Sequence, residues 1–568
     1  MFDPQSAPID RDNPPKASIS VCPAGEAFPL PRTQSEYDEE LRRLQKIVAE
    51  QRLMGREIVV VMGVGFVGAV MAGVIADSVD NTTGKPSKFV IGMQRPSTRS
   101  YWKIHYLNKG IPPVEAEDPE VPALIHRCVN EKKTLVATFT YDVLSLADVV
   151  VVDVQCDYHK EELGNVRQGR AEISALEECL RIVGEKIKPE CLVLIETTVP
   201  PGTTQYIAYP IIKKALEKRG FEHSEPVLAH SFERVMPGRN YVASIRDFWR
   251  VCSGVNEESR QRVETFLSSV LNVEQFPLTV LDSPIESETC KVVENSYRAT
   301  ILAFLHEWSV FAERNGIDLI KVINAIKVRP THSNIIFPGP GIGGYCLPKD
   351  GGLGIWAYQT LLGFEDDIFK MTPQAIDIND TRALHVARLV RDALRNMGKI
   401  VAASKVAVLG VSYREDVGDT RYSGSELLVR KLAEMGAEIS VHDPYVKHWW
   451  EFESQDSYPA PGCSLARLFR NQDKLTELRI AGSIADTLKN ADAVVLAVRH
   501  RHYRSLVPEE LVEMAGKPMA VVDCFGILDD DKIRRFFDLD CEVKGLGRGH
   551  VKRIKDEARK AKIRNNGN

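Results

Sequence analysis

No stretch of this 568-residue sequence stays apolar for the roughly 18–20 positions that a membrane-spanning helix needs. Paired cysteines are missing as well. The eleven cysteines stand singly, without CxxC spacing, which argues against a disulfide framework or a zinc site and fits a reducing compartment. A basic surplus is also absent, since the formal net charge is −5, and nothing in the balance attracts nucleic acid. The first residues are proline-rich and carry acids early, unlike a signal peptide. These absences leave a soluble, cytoplasmic protein without membrane or nucleic-acid partners as the expectation. The length calls for two or three domains with sizeable cores.

Residues 1 to about 33 read as a flexible extension rich in Pro, Ser, Asp and Ala. Leu41, Leu44, Ile47, Val48 and Leu53 then recur at helical spacing behind a cap at Thr33 or Ser35, giving an amphipathic helix. The extension is bounded at 1–55. The run Glu57–Met62 is a buried parallel strand, and Gly63, Gly65 and Gly68 follow it directly with GxGxxG spacing. In that place glycines make a tight turn, admit a pyrophosphate to the backbone and let the next helix pack on the strand. The helix then directs its positive end at the phosphates. One expected residue is lacking. The second strand ends in Gln94 and Arg95 where an Asp or Glu would hold a ribose diol. An arginine there accommodates a 2′-phosphate, so NAD and NADP both stay open.

Further strands at 148–154 and 191–196 alternate with helical stretches such as 173–187, the mark of a doubly wound sheet over 56–280. Thr197 and Thr198 sit at the carboxyl end of a strand, where such sheets bind ligands, or simply cap the next helix. Glu233 and Arg234 follow another strand; a solvated ion pair is the ordinary reading of such a doublet. The region 281–402 is helical, beginning with a long helix over 286–315 so apolar that a partner subunit is expected to cover it. Lys291 and Asn295 lie on one face of it at i and i+4. A glycine-rich loop, Pro338 to Asp350, presents Cys346, with Lys349 and Asp350 just behind it. Such a loop makes a cysteine accessible as a nucleophile, and a tight turn with a buried thiol is the plain alternative. A second α/β unit spans 403–550, with Trp449 and Phe452 in an apparently irregular insertion over 446–472, and a basic tail, 551–568, reads as a solvated helix. The fold class is α/β, two Rossmann-like doubly wound domains joined by a long central helix.

Together these motifs resemble the UDP-glucose/GDP-mannose dehydrogenase family of nucleotide-sugar 6-dehydrogenases. The resemblance covers about 56–550 and rests on Gly63–Gly68, Glu196–Gly202, Phe232–Gly238, Lys291–Asn295, the cysteine loop and Asp416–Arg421. It implies a four-electron oxidation of a primary alcohol at C6 to a uronic acid, of the kind used in polysaccharide biosynthesis, with Cys346 forming a thiohemiacetal and then a thioester. Lys291 and Asn295 would stabilise the oxyanion, Asp350 would act as base, Thr198 would hold a water, and Glu233 would assist proton transfer or hydrolysis. Cofactor contacts would come from Gly63, Gly65, Phe66, Val67, Gly68, Gln94, Arg95, Thr140, Thr198, Lys349 and Arg421. Substrate contacts would come from Glu233, Arg234, Lys291, Asn295, Arg329, His332, Gly341, Gly343 and Arg414. No metal is implied, and a homodimer or higher homo-oligomer is.

The Glu233-Arg-Val-Met-Pro-Gly238 form and the Pro338-Gly-Pro-Gly341 start of the loop resemble the branch acting on UDP-N-acetylhexosamines. Departures fall at Gln94, at Gln155-Cys156-Asp157 in place of a Thr-Pro, at His332 in place of an arginine, and at Tyr413-Arg414 in place of Phe-Lys. The alternatives are a UDP-glucose enzyme, a two-electron dehydrogenase with a structural Cys346, and a nucleotide-sugar-binding scaffold using the extension and the Trp449–Phe452 segment.

Overall fold

The computed structural model describes residues 18–453, 469–470 and 472–566. Thr33 starts the first helix, Gln34–Leu53, through a reciprocal cap: its hydroxyl accepts the Glu36 N–H and the Glu36 carboxylate accepts the Thr33 N–H. Leu44 and Val48 on this helix are buried against the first sheet. Ahead of it the expectation of a flexible segment is corrected for residues 18–33. Ile19–Val21 pairs antiparallel with Ala27–Pro29, Phe28 stacks on His105 at 4.4 Å, and Ser20 accepts the Trp102 N–H at 3.2 Å. Residues 1–17 lie outside the described residues.

The first sheet has eight strands in the spatial order Thr279–Val280, Val251–Gly254, Leu228–Phe232, Leu192–Ile195, Val149–Val152, Glu57–Met62, Lys88–Met93 and Leu135–Thr138. All neighbours run parallel except Leu228–Phe232 against Val251–Gly254. Glu57–Met62 is the first strand of this sheet in the chain, and later strands add on both sides of it. The chain order therefore reverses between Glu57–Met62 and Val149–Val152, which opens a crevice at their carboxyl ends. The second sheet is fully parallel, in the order Glu438–His442, Lys405–Leu409, Ala493–Leu496, Ala520–Asp523, Glu542–Gly545. The Val-rich strands are buried on both faces, as parallel sheets covered by helices require.

Between the sheets runs the long helix Pro284–Asn315, opened by a Ser283 capping box with Pro284 in its first turn and closed by Gly316 at φ +71°. Helix Met371–Asn396 lies along it, where Asn379 donates to the Ala299 carbonyl at 2.8 Å and Arg382 to Ser309 Oγ at 2.6 Å. Among the described residues, only one side of the long helix is covered. Val293, Tyr297, Phe304, Trp308 and Phe311 remain 46–58% exposed on the other.

Three expectations change. The hairpin Asp157–Glu162 with Asn165–Glu172 has no counterpart in the sequence reading, because its charged strands lack an apolar alternation. Trp449 and Phe452 are buried in the second core, with Arg430 over the Phe452 ring at 4.3 Å, so they are not free for a partner. Residues 454–468 and 471 of that insertion lie outside the described residues. The carboxyl-terminal helix Val551–Asn566 is solvated on one side only, since Ile554 and Ala558 pack into the core shared with helix Asp530–Asp538. Among the described residues, no helix is long and apolar enough to cross a membrane.

Candidate active site

The GxGxxG turn occupies the crevice of the first sheet, and two of its three glycines are required by the packing of the turn itself. Gly63 stands at φ +96°, and a Cβ there would come 2.5 Å from the Asp153 carbonyl oxygen. A Cβ on Gly68 would come 1.9 Å from the Gly63 carbonyl oxygen. Gly65 instead faces open space and, as the N-cap of helix Phe66–Asp77, has no side chain to cap it, while the Asp153 carboxyl accepts the Gly68 N–H in the first turn. Closed below and open above, with the positive helix end exposed, this loop fits a dinucleotide pyrophosphate. Phe66 stacks on Tyr241 at 4.9 Å, Val67 is half-buried in the next turn, and the Tyr241 hydroxyl donates to the Phe66 carbonyl.

At the end of the second strand the Gln94 amide oxygen accepts the Val64 N–H at 3.1 Å, and the Gln94 N–H donates to the Thr138 carbonyl at 3.0 Å. Gln94 therefore holds the glycine turn in shape. Arg95 beside it is exposed. Thr140 is buried and caps the turn Tyr141–Leu146 by accepting the Asp142 N–H at 3.3 Å.

The cysteine loop ends where helix Asp350–Trp356 begins, and the Asp350 N–H donates to the Cys346 carbonyl at 3.0 Å. This helix opens one residue earlier than the sequence reading placed it and widens into a π-turn at 357–361. Asp350 is fully buried and serves two donors, Asn295 Nδ2 at 2.6 Å and Lys349 Nζ at 2.9 Å. Lys291 donates to the Glu233 carbonyl at 2.8 Å, and its Nζ is 3.7 Å from Glu233 Oε1. The structure thus separates Glu233 from Arg234, which pairs with Glu294 at 3.0 Å and donates to the Trp249 carbonyl at 2.8 Å.

Burial pushes the Cys346 thiol up to about 11; Asp350 and Glu233 add to the rise, while Lys291 and Lys349 oppose it. Burial opposes charge on Lys291 and Lys349, yet both lie above the usual lysine range because acids outweigh it, Glu233 first for Lys291 and Asp350 first for Lys349. The site therefore holds a neutral thiol between two ammonium groups and two carboxylate side chains. On an attacked carbonyl, the ammonium groups and the Asn295 amide can stabilise negative oxygen, and a neighbouring carboxylate can take the thiol proton.

Glycines 341, 343 and 344 allow the loop to pack against the second α/β unit. A Cβ on Gly343 would lie 2.5 Å from Tyr413 Cβ, and one on Gly344 3.1 Å from the Tyr413 ring. Tyr345 hydrogen-bonds the Cys156 carbonyl at 3.1 Å and the Asp157 carboxylate, so the divergent Gln155-Cys156-Asp157 segment braces the cysteine loop. A small cavity of about 70 Å³ adjoins the loop, lined by Tyr158, Lys160, Gly341, Ile342, Lys349 and Leu427 among others.

From the second unit, Arg421 is held by Asp419 and covers both the Phe66 ring at 5.1 Å and the Tyr345 ring at 5.3 Å. It joins the glycine turn to the cysteine loop. Arg414 is exposed on the same segment. That segment is pinned from behind. The Asp416 N–H donates to His500 Nδ1 at 2.9 Å, which leaves the proton on Nε2 to bond Asp443 at 3.0 Å, with Ser412 Oγ 3.2 Å away. Asp443 also accepts the Val411 and Ser412 N–H groups, so the carboxyl ends of neighbouring strands in the second sheet are tied together by the chain's own side chains. Arg329 and His332 are exposed around the turn Pro330–His332 and are not brought to Cys346 within this chain.

Several residues escaped the sequence reading. Glu196 and Arg250 form a buried pair, 1% and 2% exposed, beneath Thr198. Burial and the nearby Glu196 and Glu233 raise the Asp153 carboxyl well above the usual range. Glu288 accepts the Gly202 N–H and both the N–H and hydroxyl of Thr204, fastening the Thr198 loop to the long helix; burial pushes it up to about 7 despite those donors. The Glu196 signal was in the sequence, because an acid directly precedes the paired threonines. Arg250 had none, since its partner lies 54 positions away.

Three family models match the chain in succession: the NAD-binding domain of the UDP-glucose/GDP-mannose dehydrogenase family over 57–270, its central domain over 285–381, and its UDP-binding domain over 407–530. The chain belongs to this family, and with it to the NAD-dependent nucleotide-sugar oxidoreductases. It is 25% identical over 498 residues to a UDP-N-acetyl-D-mannosamine dehydrogenase of Pyrococcus horikoshii, covering 87% of this chain and 100% of that one. A relative of the same description from Methanococcus vannielii is 24% identical over 86% of this chain and 96% of its own. Among solved structures, an NDP-N-acetyl-D-galactosaminuronic acid dehydrogenase from Methanosarcina mazei superposes with a TM-score of 0.69 at 28% identity, covering 90% of this chain and 98% of that one.

Proposed function

We propose that this protein oxidises the C6 hydroxyl of a UDP-N-acetylhexosamine twice, to the uronic acid, through covalent attachment at Cys346. The observation that carries the reading is the convergence of Lys291, Asn295, Asp350 and Glu233 around a cysteine at the end of a glycine loop. NAD, seated on the glycine turn, would serve as hydride acceptor in both oxidations. The chain's own residues do the rest. Asp350 accepts the alcohol proton, directly or through a water held by Thr198. Cys346 Sγ then bonds the aldehyde carbon while its proton passes to a carboxylate, and the resulting alkoxide faces Lys291 and Asn295. Loss of a second hydride leaves a thioester. Water, activated by Glu233 or Asp350, cleaves the C–S bond, releasing the acid and restoring the thiol.

The matching relatives that act on acetamido sugars support the choice of substrate. The test is reduced-cofactor stoichiometry with UDP-N-acetylmannosamine, UDP-N-acetylglucosamine, UDP-N-acetylgalactosamine and UDP-glucose. Two equivalents per acetamido sugar, with a uronic acid as product, are expected. One equivalent with the best substrate would refute the covalent route, and turnover confined to UDP-glucose would refute the sugar.

The open face of the long helix supports a homodimer, because five large apolar side chains in a row seldom stay in water. Trp308→Glu should convert a dimer to monomer in analytical ultracentrifugation. A wild-type monomer, or an unaffected dimer in the variant, would remove this assignment.

A further inference from the structure

The amino-terminal helix Gln34–Leu53 precedes the NAD-binding match, which begins at residue 57, yet its first turns stand at the carboxyl edge of the first sheet. Glu40 accepts the Thr138 hydroxyl at 2.7 Å. Thr138 ends the strand beside Lys88–Met93, and its carbonyl takes the Gln94 N–H. Gln94 in turn holds Val64 of the glycine turn. A continuous chain of hydrogen bonds thus runs from the extension to the loop that seats the pyrophosphate. Around it, Tyr37 and Tyr101 both set their rings edge-on to Phe139, at 5.1 and 5.8 Å.

Charge adds a second observation. Gln34 to Glu40 contains four acids, Glu36, Asp38, Glu39 and Glu40, and no base. After burial, Glu36 and Glu40 are the main causes that push the Tyr101 hydroxyl up to about 12, so their field reaches the rings at this edge. The cationic groups near these acids include Arg32, which acts on Glu36, Arg95, exposed, and Arg43, which Glu40 engages through both carboxylate oxygens at 2.7 Å.

We infer that the amino-terminal helix is part of the cofactor site, with Glu40 as a positioning residue that holds the adenosine end and whose charge selects NAD over NADP. The inference rests on the NAD reading of the glycine turn and supplies the acid that the second strand lacks. A 2′-phosphate would approach an acidic helix end. It would also find Arg43, otherwise a good phosphate ligand, already occupied by Glu40.

Direct binding of NAD and NADP to the full chain, together with steady-state turnover of the best UDP-sugar, tests this, with Glu40→Gln and Thr138→Val alongside wild type and thermal unfolding as the check on folding. Glu40→Gln removes the charge but keeps an acceptor for Thr138. It should raise NADP affinity relative to NAD by about fivefold or more at low salt, with the gain shrinking as salt screens it. Thr138→Val keeps the charge and breaks the hydrogen-bond chain; it should raise the KM for NAD about fivefold while kcat stays near wild type. A folded Glu40→Gln protein with an unchanged NADP-to-NAD ratio would overturn the inference. Wild-type protein that binds no NAD would instead overturn the cofactor reading, and this inference with it.

Discussion

Cys346→Ala protein is expected to form no uronic acid, with the overall reaction slowed by at least ~10³-fold, the scale seen when a covalent nucleophile is removed. The loss should be confined to chemistry. Cys346 is half-buried at the end of its loop, and alanine fits the same backbone without exposing a buried polar atom. Lys291, Asn295, Asp350 and Glu233 all keep these bonds, since the thiol takes part in none of them. The first oxidation retains its base, so the variant should yield at most one reduced cofactor per sugar and release an aldehyde that a hydrazine reagent traps. Product mass together with absorbance of the reduced cofactor reads both. A variant that still makes acid at the wild-type rate would leave Cys346 structural and the enzyme a simple alcohol dehydrogenase with a separate aldehyde step.

Arg250→Met should produce the largest loss of stability among single changes near the site. Arg250 donates to Glu196 in the centre of the first domain, and both side chains are almost completely removed from water. Asp153 and Glu233 add further acidity close by. Removing the only partner of a buried carboxylate costs about 3–5 kcal/mol, far more than the pair contributes relative to an apolar replacement of both. The sign with pH follows from Glu196. Burial raises its carboxyl above the ordinary range even with Arg250 present, and loss of the guanidinium raises it further. A group whose folded pKa exceeds its unfolded value contributes most at low pH, and that contribution fades as pH rises through the folded value. The defect in the first unfolding transition should therefore be large at pH 8 and shrink towards pH 5. A variant equally stable to wild type at both would show that Glu196 is compensated elsewhere.

What the sequence made legible was whatever is written locally. The GxGxxG turn, the long helix with Lys291 and Asn295, and the cysteine loop are each contiguous, and each lies where the spacing implied. The two α/β units follow from strand runs that are apolar on both faces. Long-range pairing was not legible. Nothing near Glu40 announces Thr138, which is 98 positions away, and nothing near Tyr345 announces Asp157. The hairpin over 157–172 was missed because its strands are built from Asp, Lys, Glu and Arg, whose burial depends on helix Met371–Asn396 and not on local alternation. There, Lys160 meets Asp380 at 2.5 Å, and the Val166 N–H meets Asp377 at 2.7 Å. Arg329 and His332 were placed by resemblance, and in one chain they face solvent.

The hydrogen-bonded strand ends of the second sheet bear on the order of events during turnover. His500, Asp443 and Ser412 are bonded to one another and to their own backbone, and among the described residues the GxGxxG turn of the first sheet is the one seat built for a dinucleotide. Under the proposed reaction that single seat must empty and refill between the oxidations, while the sugar stays fastened to Cys346. Arg421, lying across both Phe66 and Tyr345, sits on the boundary between what must leave and what must remain. Under that reaction, exchange of the cofactor through this one doorway is expected to be slower than bond-breaking at carbon, and deuterium at C6 should then leave kcat almost unchanged.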